Sequence, residues 1–233
     1  MKQHVASILN GMKSAAVAVV GDVMIDEYIM GESDRISPEA PAPIITESGR
    51  SYVPGGAANV AVNIAAFGAK VWLFSVTGDD YEGKTLHRAL STLGVDDSGI
   101  LISIGRPTTR KTRMIARGNQ VLRVDRETNS PIDEYTGAKL LEKILECPAE
   151  VVIVSDYAKG VVSENLVIRL VRSGKRVMVD PKSVSFGKYA GAFLVTPNLH
   201  ELNLAAGVMD ITPETLEIPA RQLMKKHGIS NLL

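Results

Sequence analysis

Residues 54–67, with the sequence PGGAANVAVNIAAF, place two consecutive glycines directly before a helical pattern. Apolar side chains recur at helical spacing, which predicts a helix over Ala57–Phe67. Gly55 and Gly56 let the backbone come close to a ligand and leave free N–H groups at the positive end of that helix, and Asn59 adds an amide. Alone, the pattern fits an ordinary turn as well as a ligand-binding loop.

Outside this stretch, short apolar runs rich in β-branched residues alternate with helical patterns along most of the chain. Strands are predicted over Ala15–Val20, Lys70–Val76, Val151–Ser155, Val177–Val179 and Phe193–Thr196, and further helices over Tyr81–Leu93, Asp133–Leu145 and Ser163–Arg172. Gly68, Gly94 and Gly174 stand where left-handed helix caps are needed. The alternation is typical of a parallel sheet with helices on both faces, so we predict an α/β fold.

Two regions interrupt the alternation, and neither contains a convincing helical pattern. Asp26–Tyr52 contains three prolines between short extended pieces, and Ile100–Glu127 resembles strands joined by tight turns. We predict that both contribute to one small accessory sheet, a lid or dimer surface, with strands within about residues 26–52 and 100–127. This sheet would be inserted into a single domain spanning residues 1–233.

Two carboxylates follow the first predicted strand in the sequence Gly21-Asp22-Val23-Met24-Ile25-Asp26. Ligands of parallel sheets bind beyond the carboxyl ends of the strands, so Asp22 and Asp26 are placed to accept hydrogen bonds from sugar hydroxyls. A turn cap at Asp22 and a solvated side chain at Asp26 explain the same residues without a ligand.

A third group of polar residues stands where a later strand meets a helix, in Thr196-Pro197-Asn198-Leu199-His200-Glu201. Asn198 and Glu201 have the spacing of a capping box, which is a sufficient structural explanation for the pair. A Thr212-Pro213 pair predicts the start of another helix, in which Pro219 should cause a restart or a kink.

Composition restricts the possible partners and the compartment. The chain has 26 basic and 26 acidic residues and therefore no net field that would recruit nucleic acid or an anionic membrane. No apolar run approaches the roughly 20 residues of a transmembrane helix. The single cysteine, Cys147, excludes an internal disulfide and suits a reducing compartment. We expect a cytoplasmic protein.

Three motifs occur together and in a characteristic order. The run Gly55–Ala61 is followed after six residues by Gly68, and Gly68 is followed after nine residues by Gly78. Together with the GDxxxD run Gly21–Asp26 and the PNxxE run Pro197–Glu201, this spacing resembles the ribokinase-like (PfkB) family of sugar kinases. The resemblance implies a three-layer α/β/α fold with a mostly parallel central sheet and a small β lid.

Within the family, the runs Arg35–Pro43, Ser155–Gly160 and Val179–Lys182 look most like kinases of D-glycero-β-D-manno-heptose 7-phosphate. Such a kinase forms the N-terminal half of a bifunctional ADP-heptose synthase in many bacteria, and its product enters the lipopolysaccharide core. The resemblance covers the chain from about Val17 to Leu233. It implies ATP-dependent phosphorylation of the anomeric hydroxyl. A kinase for another sugar of the same family and a non-catalytic sugar-binding remnant remain alternatives.

The resemblance also implies roles for individual residues. The sugar hydroxyls would be held by Asp22, Asp26, Gly55, Gly56 and Asn59, with Asp156 also in the substrate site. The ATP side would comprise Lys182, Asn198, Leu199, His200 and Glu201, with Glu201 orienting Mg²⁺ through water. The substrate's phosphate would meet Lys111, Arg113 and Arg123, with Arg35 and Lys159 behind them. Solvated lid charges are the alternative for these cations.

Two further expectations follow from the resemblance. The family's Asp-Thr-x-Gly-Ala-Gly-Asp loop, which carries the general base and the anion hole, does not occur in this sequence. We therefore expect the native domain to continue past Leu233 and the 233-residue chain to be essentially inactive. Because family members commonly pair their lids, we also expect a homodimer.

Overall fold

The computed structural model describes residues 2–208 and 211–233, which form eleven strands and seven helices. The strands are β1 (Ala16–Gly21), β2 (Val23–Ile36), β3 (Pro43–Gly56), β4 (Lys70–Thr77), β5 (Asp96–Ile102), β6 (Thr109–Ala116), β7 (Asn119–Arg126), β8 (Val151–Ser155), β9 (Arg176–Asp180), β10 (Leu194–Val195) and β11 (Asn231–Leu232). The helices are α1 (Lys2–Met12), α2 (Ala57–Ala66), α3 (Tyr81–Thr92), α4 (Glu134–Glu146), α5 (Glu164–Arg172), α6 (Leu199–Ala206) and α7 (Glu217–His227), with one 3₁₀ turn at Phe186–Tyr189.

The main sheet has seven strands in the order β11-β10-β9-β8-β1-β4-β5, and each neighbouring pair is parallel. The chain adds β4 and β5 on one side of β1 and then adds β8 to β11 on the other side. β1 therefore lies where the direction of strand addition reverses, and ligands of such sheets bind outside the carboxyl ends of the strands at this point.

Each face of the main sheet has its own buried core, because side chains alternate between the faces along a strand. In β1, Ala18 and Val20 belong to the core that includes residues of α4, α5, α6 and α7. Val19, between them, belongs to the core that includes residues of α2 and α3. This confirms the predicted three-layer α/β/α architecture.

The second sheet is the lid, with four strands in the order β3-β2-β6-β7. β2 pairs with β3 and β6 pairs with β7 as antiparallel hairpins, and β2 and β6 join the hairpins in parallel. The predicted lid region 100–127 began too early, because Ile100–Ile102 completes β5 of the main sheet. Conversely, the first hairpin extends beyond residues 26–52, since β2 starts at Val23 and β3 ends at Gly56.

Most of the predicted helices agree with the structure within one or two residues, but the two ends of the chain differ. Helix α1 was not predicted, and α7 begins at Glu217 rather than after Thr212-Pro213, which form a turn. Pro219 is tolerated in the first turn of α7, where an N–H has no helical partner. No helix within the described ranges is long and apolar enough to cross a bilayer.

The packing of α5 gives a direct test of the fold. Leu170 is fully buried, so Leu170→Ala should lower the free energy of unfolding by about 2–5 kcal/mol through lost burial and a residual cavity. Leu145→Ala, at a side chain that is 39% exposed on α4, is the matched control and should cost much less. Urea unfolding monitored by circular dichroism measures both. Equal losses would show that α5 does not pack as described.

Candidate functional site

The Asp22 carboxylate lies at the carboxyl end of β1 and organises the loop that follows β8. Its oxygens accept hydrogen bonds from the backbone N–H groups of Tyr157 (2.8 Å), Lys159 (3.1 Å) and Val161 (3.0 Å). Burial raises the pKa of Asp22, and these three donors partly oppose the rise. Asp22 is only 1% exposed, and its carboxylate positions this loop; its contact with a sugar hydroxyl stays a prediction.

Asp26 and the Gly55-Gly56 pair come together at the junction of β2, β3 and α2. A Cβ atom on Gly55 would stand 2.4 Å from Oδ2 of Asp26, and one on Gly56 would stand 2.3 Å from the carbonyl oxygen of Asp22. Gly56 also has φ +60°, which favours glycine. Asn59 is exposed in the first turn of α2. The structure therefore brings the predicted sugar-binding residues Asp26, Gly55, Gly56 and Asn59 to one place.

The lid presents a row of alternating charges beside this junction. Asp26, Lys111 and Asp125 are register partners on β2, β6 and β7, so their side chains share one face of the sheet. The Lys111 ammonium lies 3.0 Å from Asp125. Arg113 lies two residues beyond Lys111 on β6 and therefore on the same face. It pairs with Asp26 and stands opposite Arg123 on β7. The predicted lid cations thus lie together, but each has a carboxylate partner.

Lys159 reaches the same cluster from the main body. Its ammonium lies 2.6 Å from Glu127 and 3.1 Å from the amide oxygen of Asn129. Arg35, in contrast, lies exposed near the end of β2, nine residues beyond Asp26 and so about 30 Å away at the ~3.3 Å rise of a strand. The structure does not bring Arg35 to the cluster formed by the other predicted phosphate-binding cations, Lys111, Arg113, Arg123 and Lys159.

A second cleft, of about 240 Å³, opens at the carboxyl ends of β8, β9 and β10. Its lining comprises Asp156, Tyr157, Asp180, Pro181, Lys182, Thr196, Asn198 and Glu201. Asn198 and Glu201 form the predicted capping box at the start of α6, with reciprocal hydrogen bonds of 2.9 and 3.0 Å. The Lys182 ammonium lies 3.6 Å from Glu201. Leu199 and His200 are exposed on the first turn of α6, outside the lining.

Asp156 is at the back of this cleft and is held by a buried network. Its carboxylate accepts hydrogen bonds from Lys188 (2.5 Å), from the Tyr189 hydroxyl (2.7 Å) and from the N–H of Ala158 (2.8 Å). Burial and the adjacent carboxylate raise the pKa of Tyr189, so its hydroxyl keeps the proton that it donates. Asp156 is only 3% exposed, and both of its carboxylate oxygens accept hydrogen bonds within the protein; its role as a substrate ligand stays a prediction.

With this geometry established, comparison with known proteins identifies the family. Residues 14–233 match the family model described as pfkB family carbohydrate kinase. The chain belongs to this family.

The curated relatives include two proteins named Bifunctional protein HldE. The one from Syntrophotalea carbinolica is 37% identical over 238 residues, covering 100% of this chain and 49% of the relative. The one from Paramagnetospirillum magneticum is 41% identical over 228 residues, covering 95% and 47%. The chain thus spans about half the length of these pfkB relatives.

Solved structures show the same fold at lower sequence identity. The tetrameric inhibited form of phosphofructokinase-2 from Escherichia coli superimposes with a TM-score of 0.71 at 18% identity, covering 92% of this chain and 71% of that chain. Arabidopsis thaliana ribokinase complexed with ribose and ATP gives 0.69 at 16% identity, covering 94% and 70%.

The residues of this cleft fit a hydrated magnesium ion that is bound together with phosphate groups. Partial burial and the nearby charge of Glu201 raise the pKa of Asp180, so two carboxylates face one region without full compensation. The described ranges contain no cluster of three or more His, Cys, Asp or Glu side chains able to hold a metal alone. Mg²⁺ usually keeps several waters and shares its ligands with phosphates, which one or two carboxylates satisfy.

Sequence reasoning missed several residues of this site. Lys188 and Tyr189 fall in an irregular segment with no motif, and they reach Asp156 because the 3₁₀ turn, which packs against α5 and α7, brings them there. Asp125 and Glu127 were overlooked as partners of the lid cations. The cross-strand register of β6 and β7 would have identified Asp125, because it stands directly opposite Lys111.

The role of Asp22 can be tested by its removal. Asp22→Ala leaves three buried or half-buried N–H groups without their acceptor, and each loss costs about 1–3 kcal/mol. We expect the free energy of unfolding to fall by at least about 3 kcal/mol and the amides of residues 157, 159 and 161 to lose protection from hydrogen exchange. Asp34→Ala, at an exposed lid carboxylate, is the control. Retained protection in the folded Asp22 variant would contradict the positioning role.

Proposed function

We propose that this chain is the kinase part of a protein that transfers the γ-phosphoryl group of ATP to the anomeric hydroxyl of D-glycero-β-D-manno-heptose 7-phosphate. The proposal rests on one observation. The polar junction lined by Gly55 and Gly56 lies between the lid face that carries the cations and the cleft that carries the carboxylates. Membership of the pfkB family supports the reaction type, and the motifs shared with heptose 7-phosphate kinases support the substrate.

At the sugar end, Asp26 accepts hydrogen bonds from substrate hydroxyls, and Asn59 both donates and accepts. The Gly55-Gly56 backbone lets the sugar come close to the amino end of α2, because no Cβ atom intervenes. Phosphoryl transfer depends mainly on positioning and charge stabilisation, so a rigid sugar site contributes directly to the rate.

At the nucleotide end, the phosphates of ATP lie at the amino end of α6, where Asn198, Leu199 and His200 begin the helix. Glu201 and Asp180 would hold a hydrated Mg²⁺, which would offset the charge of the phosphates. Lys182, which is more than half exposed beside Glu201, is free to turn toward a phosphate oxygen.

The substrate's own phosphate binds between the lid and the body. Lys111 and Arg113 approach from β6, Arg123 from β7 and Lys159 from the loop after β8. Cations from both units surround one dianion, so the phosphate joins the lid to the body and closes the site over the sugar. The lid strands are accordingly part of one kinase domain with the main sheet.

This assignment predicts a selective loss in Lys111→Met. Removing one charge-assisted hydrogen bond, about 1.5–3 kcal/mol, should weaken heptose 7-phosphate binding at least about tenfold and leave unphosphorylated heptose within about twofold. Isothermal titration calorimetry measures both affinities. Lys139→Met, at a lysine on α4 that lies over Tyr135, is the control and should change neither.

Other outcomes would contradict the proposal in distinct ways. Equal losses for the two sugars would remove Lys111 from the phosphate site. Tighter binding of ribose or fructose 6-phosphate than of heptose 7-phosphate would assign the site to another sugar. Sugar binding by a protein that binds no ATP would favour a non-catalytic sugar-binding module.

We also propose that two copies of the chain pair through the lid. β7 is an edge strand, and all eight of its residues are exposed. Val121, Leu122 and Val124 present large apolar side chains there. An exposed apolar edge strand favours pairing with another chain, and a symmetric dimer covers it on both copies.

Light scattering should therefore give the mass of a dimer at micromolar concentration. Leu122→Lys should weaken the dimer at least about tenfold, because it places a charge in the apolar contact. Ile218→Lys, at an exposed position on α7, is the control and should leave the mass unchanged. A monomer mass for the unaltered chain would contradict lid pairing.

A further inference from the structure

Glu127, the first residue after β7, bridges two lysines that belong to different parts of the molecule. Its Oε2 lies 3.3 Å from the ammonium of Lys111 on the lid, and its Oε1 lies 2.6 Å from the ammonium of Lys159 on the body. Among the ion pairs of the described residues, this carboxylate alone joins these two ammonium groups. It therefore occupies the space between them.

The two lysines are held in place by their surroundings. Each side chain is only 16% exposed, so each ammonium group needs a nearby anion or acceptor. The loop that carries Lys159 is fixed by the Asp22 carboxylate, and Lys111 is fixed in the register of β6 with β7. A ligand that replaces Glu127 would therefore find both ammonium groups already positioned.

The net charge of this cluster is consistent with the replacement of Glu127 by an anionic ligand. Lys111, Arg113, Arg123 and Lys159 carry four positive charges, and they are paired with three carboxylates, Asp26, Asp125 and Glu127. The cluster has one net positive charge while Glu127 remains in it and two when Glu127 leaves. Two positive charges balance a phosphate dianion.

We infer that Glu127 is an internal placeholder for the substrate's phosphate. Without ligand, its carboxylate keeps Lys111 and Lys159 paired and connects the lid to the body. A phosphate dianion displaces it, because the dianion offers three oxygens and twice the charge to the same two ammonium groups. An unphosphorylated sugar cannot displace it, so Glu127 contributes to selectivity for phosphorylated substrates.

This inference rests on the proposed function only in assigning Lys111 and Lys159 to the phosphate. It can be tested with inorganic phosphate alone, by calorimetry at low ionic strength. Glu127→Gln removes the competing charge at nearly constant volume, so it should tighten phosphate binding at least about fivefold. Glu47→Gln removes the same charge from the Arg50 pair elsewhere on the lid and should leave the affinity unchanged.

Two further variants test whether the gain in phosphate affinity depends on the bridge that Glu127 forms between Lys111 and Lys159. Glu127→Asp has a side chain one methylene shorter, which cannot span both lysines, so it should give a smaller gain in phosphate affinity. Because it keeps the charge, it should fold even if Glu127→Gln does not. Lys159→Met in the Glu127→Gln background should abolish the gain. Unchanged or weaker phosphate binding in both Glu127 variants would overturn the inference, as would an equal gain in Glu47→Gln.

Failure of this inference is distinguishable from failure of the proposed function. If heptose 7-phosphate binds through Lys111 and the Glu127 variants show no gain, the placeholder role is wrong and the function stands. If the Glu127 variants gain affinity for inorganic phosphate and no form of the chain prefers heptose 7-phosphate to heptose, the placeholder role is supported and the proposed substrate is wrong.

Discussion

The candidate site depends on one buried carboxylate. Asp22 receives three backbone N–H groups from residues 157–161 and fixes a loop in which Ala158 adopts a left-handed conformation, φ +55°. A non-glycine residue holds that conformation only where its surroundings impose it. The same loop carries Lys159 toward the lid and begins at Asp156 in the cleft beside Asp180 and Glu201, so one desolvated charge sets the relative position of both ends of the candidate site.

The remaining charges follow from this arrangement. Carboxylates compensate the cations beside the Gly55-Gly56 junction, and an ammonium group and a phenol compensate Asp156. Buried or half-buried ions that must bind a charged ligand need such partners when no ligand is present. The cluster of Lys111, Arg113, Arg123 and Lys159 is consequently built as a set of ion pairs rather than as a group of free cations.

The accuracy of sequence reasoning differed between kinds of feature. Helices with strong periodicity, such as α3 and α5, were predicted within two residues, since their caps and apolar faces are local properties. Helix α7 was placed too early because Thr212-Pro213 has the form of a helix start and yet makes a turn. For Asp22 the motif indicated the position at a strand end but not the three backbone donors around its carboxylate, since a local pattern cannot show which way a side chain points.

The sequence by itself determined the α/β class, the order of most strands and helices, the capping box at Asn198 and the two glycines that precede α2. Each of these depends on residues that are neighbours along the chain. Only the tertiary structure decided that Asp22 and Asp156 are buried among hydrogen-bond donors of the protein, that Arg35 lies far from the other lid cations and that Glu127 bridges Lys111 and Lys159. These facts depend on strand register and on contacts between residues that are distant in the chain, which no local pattern records.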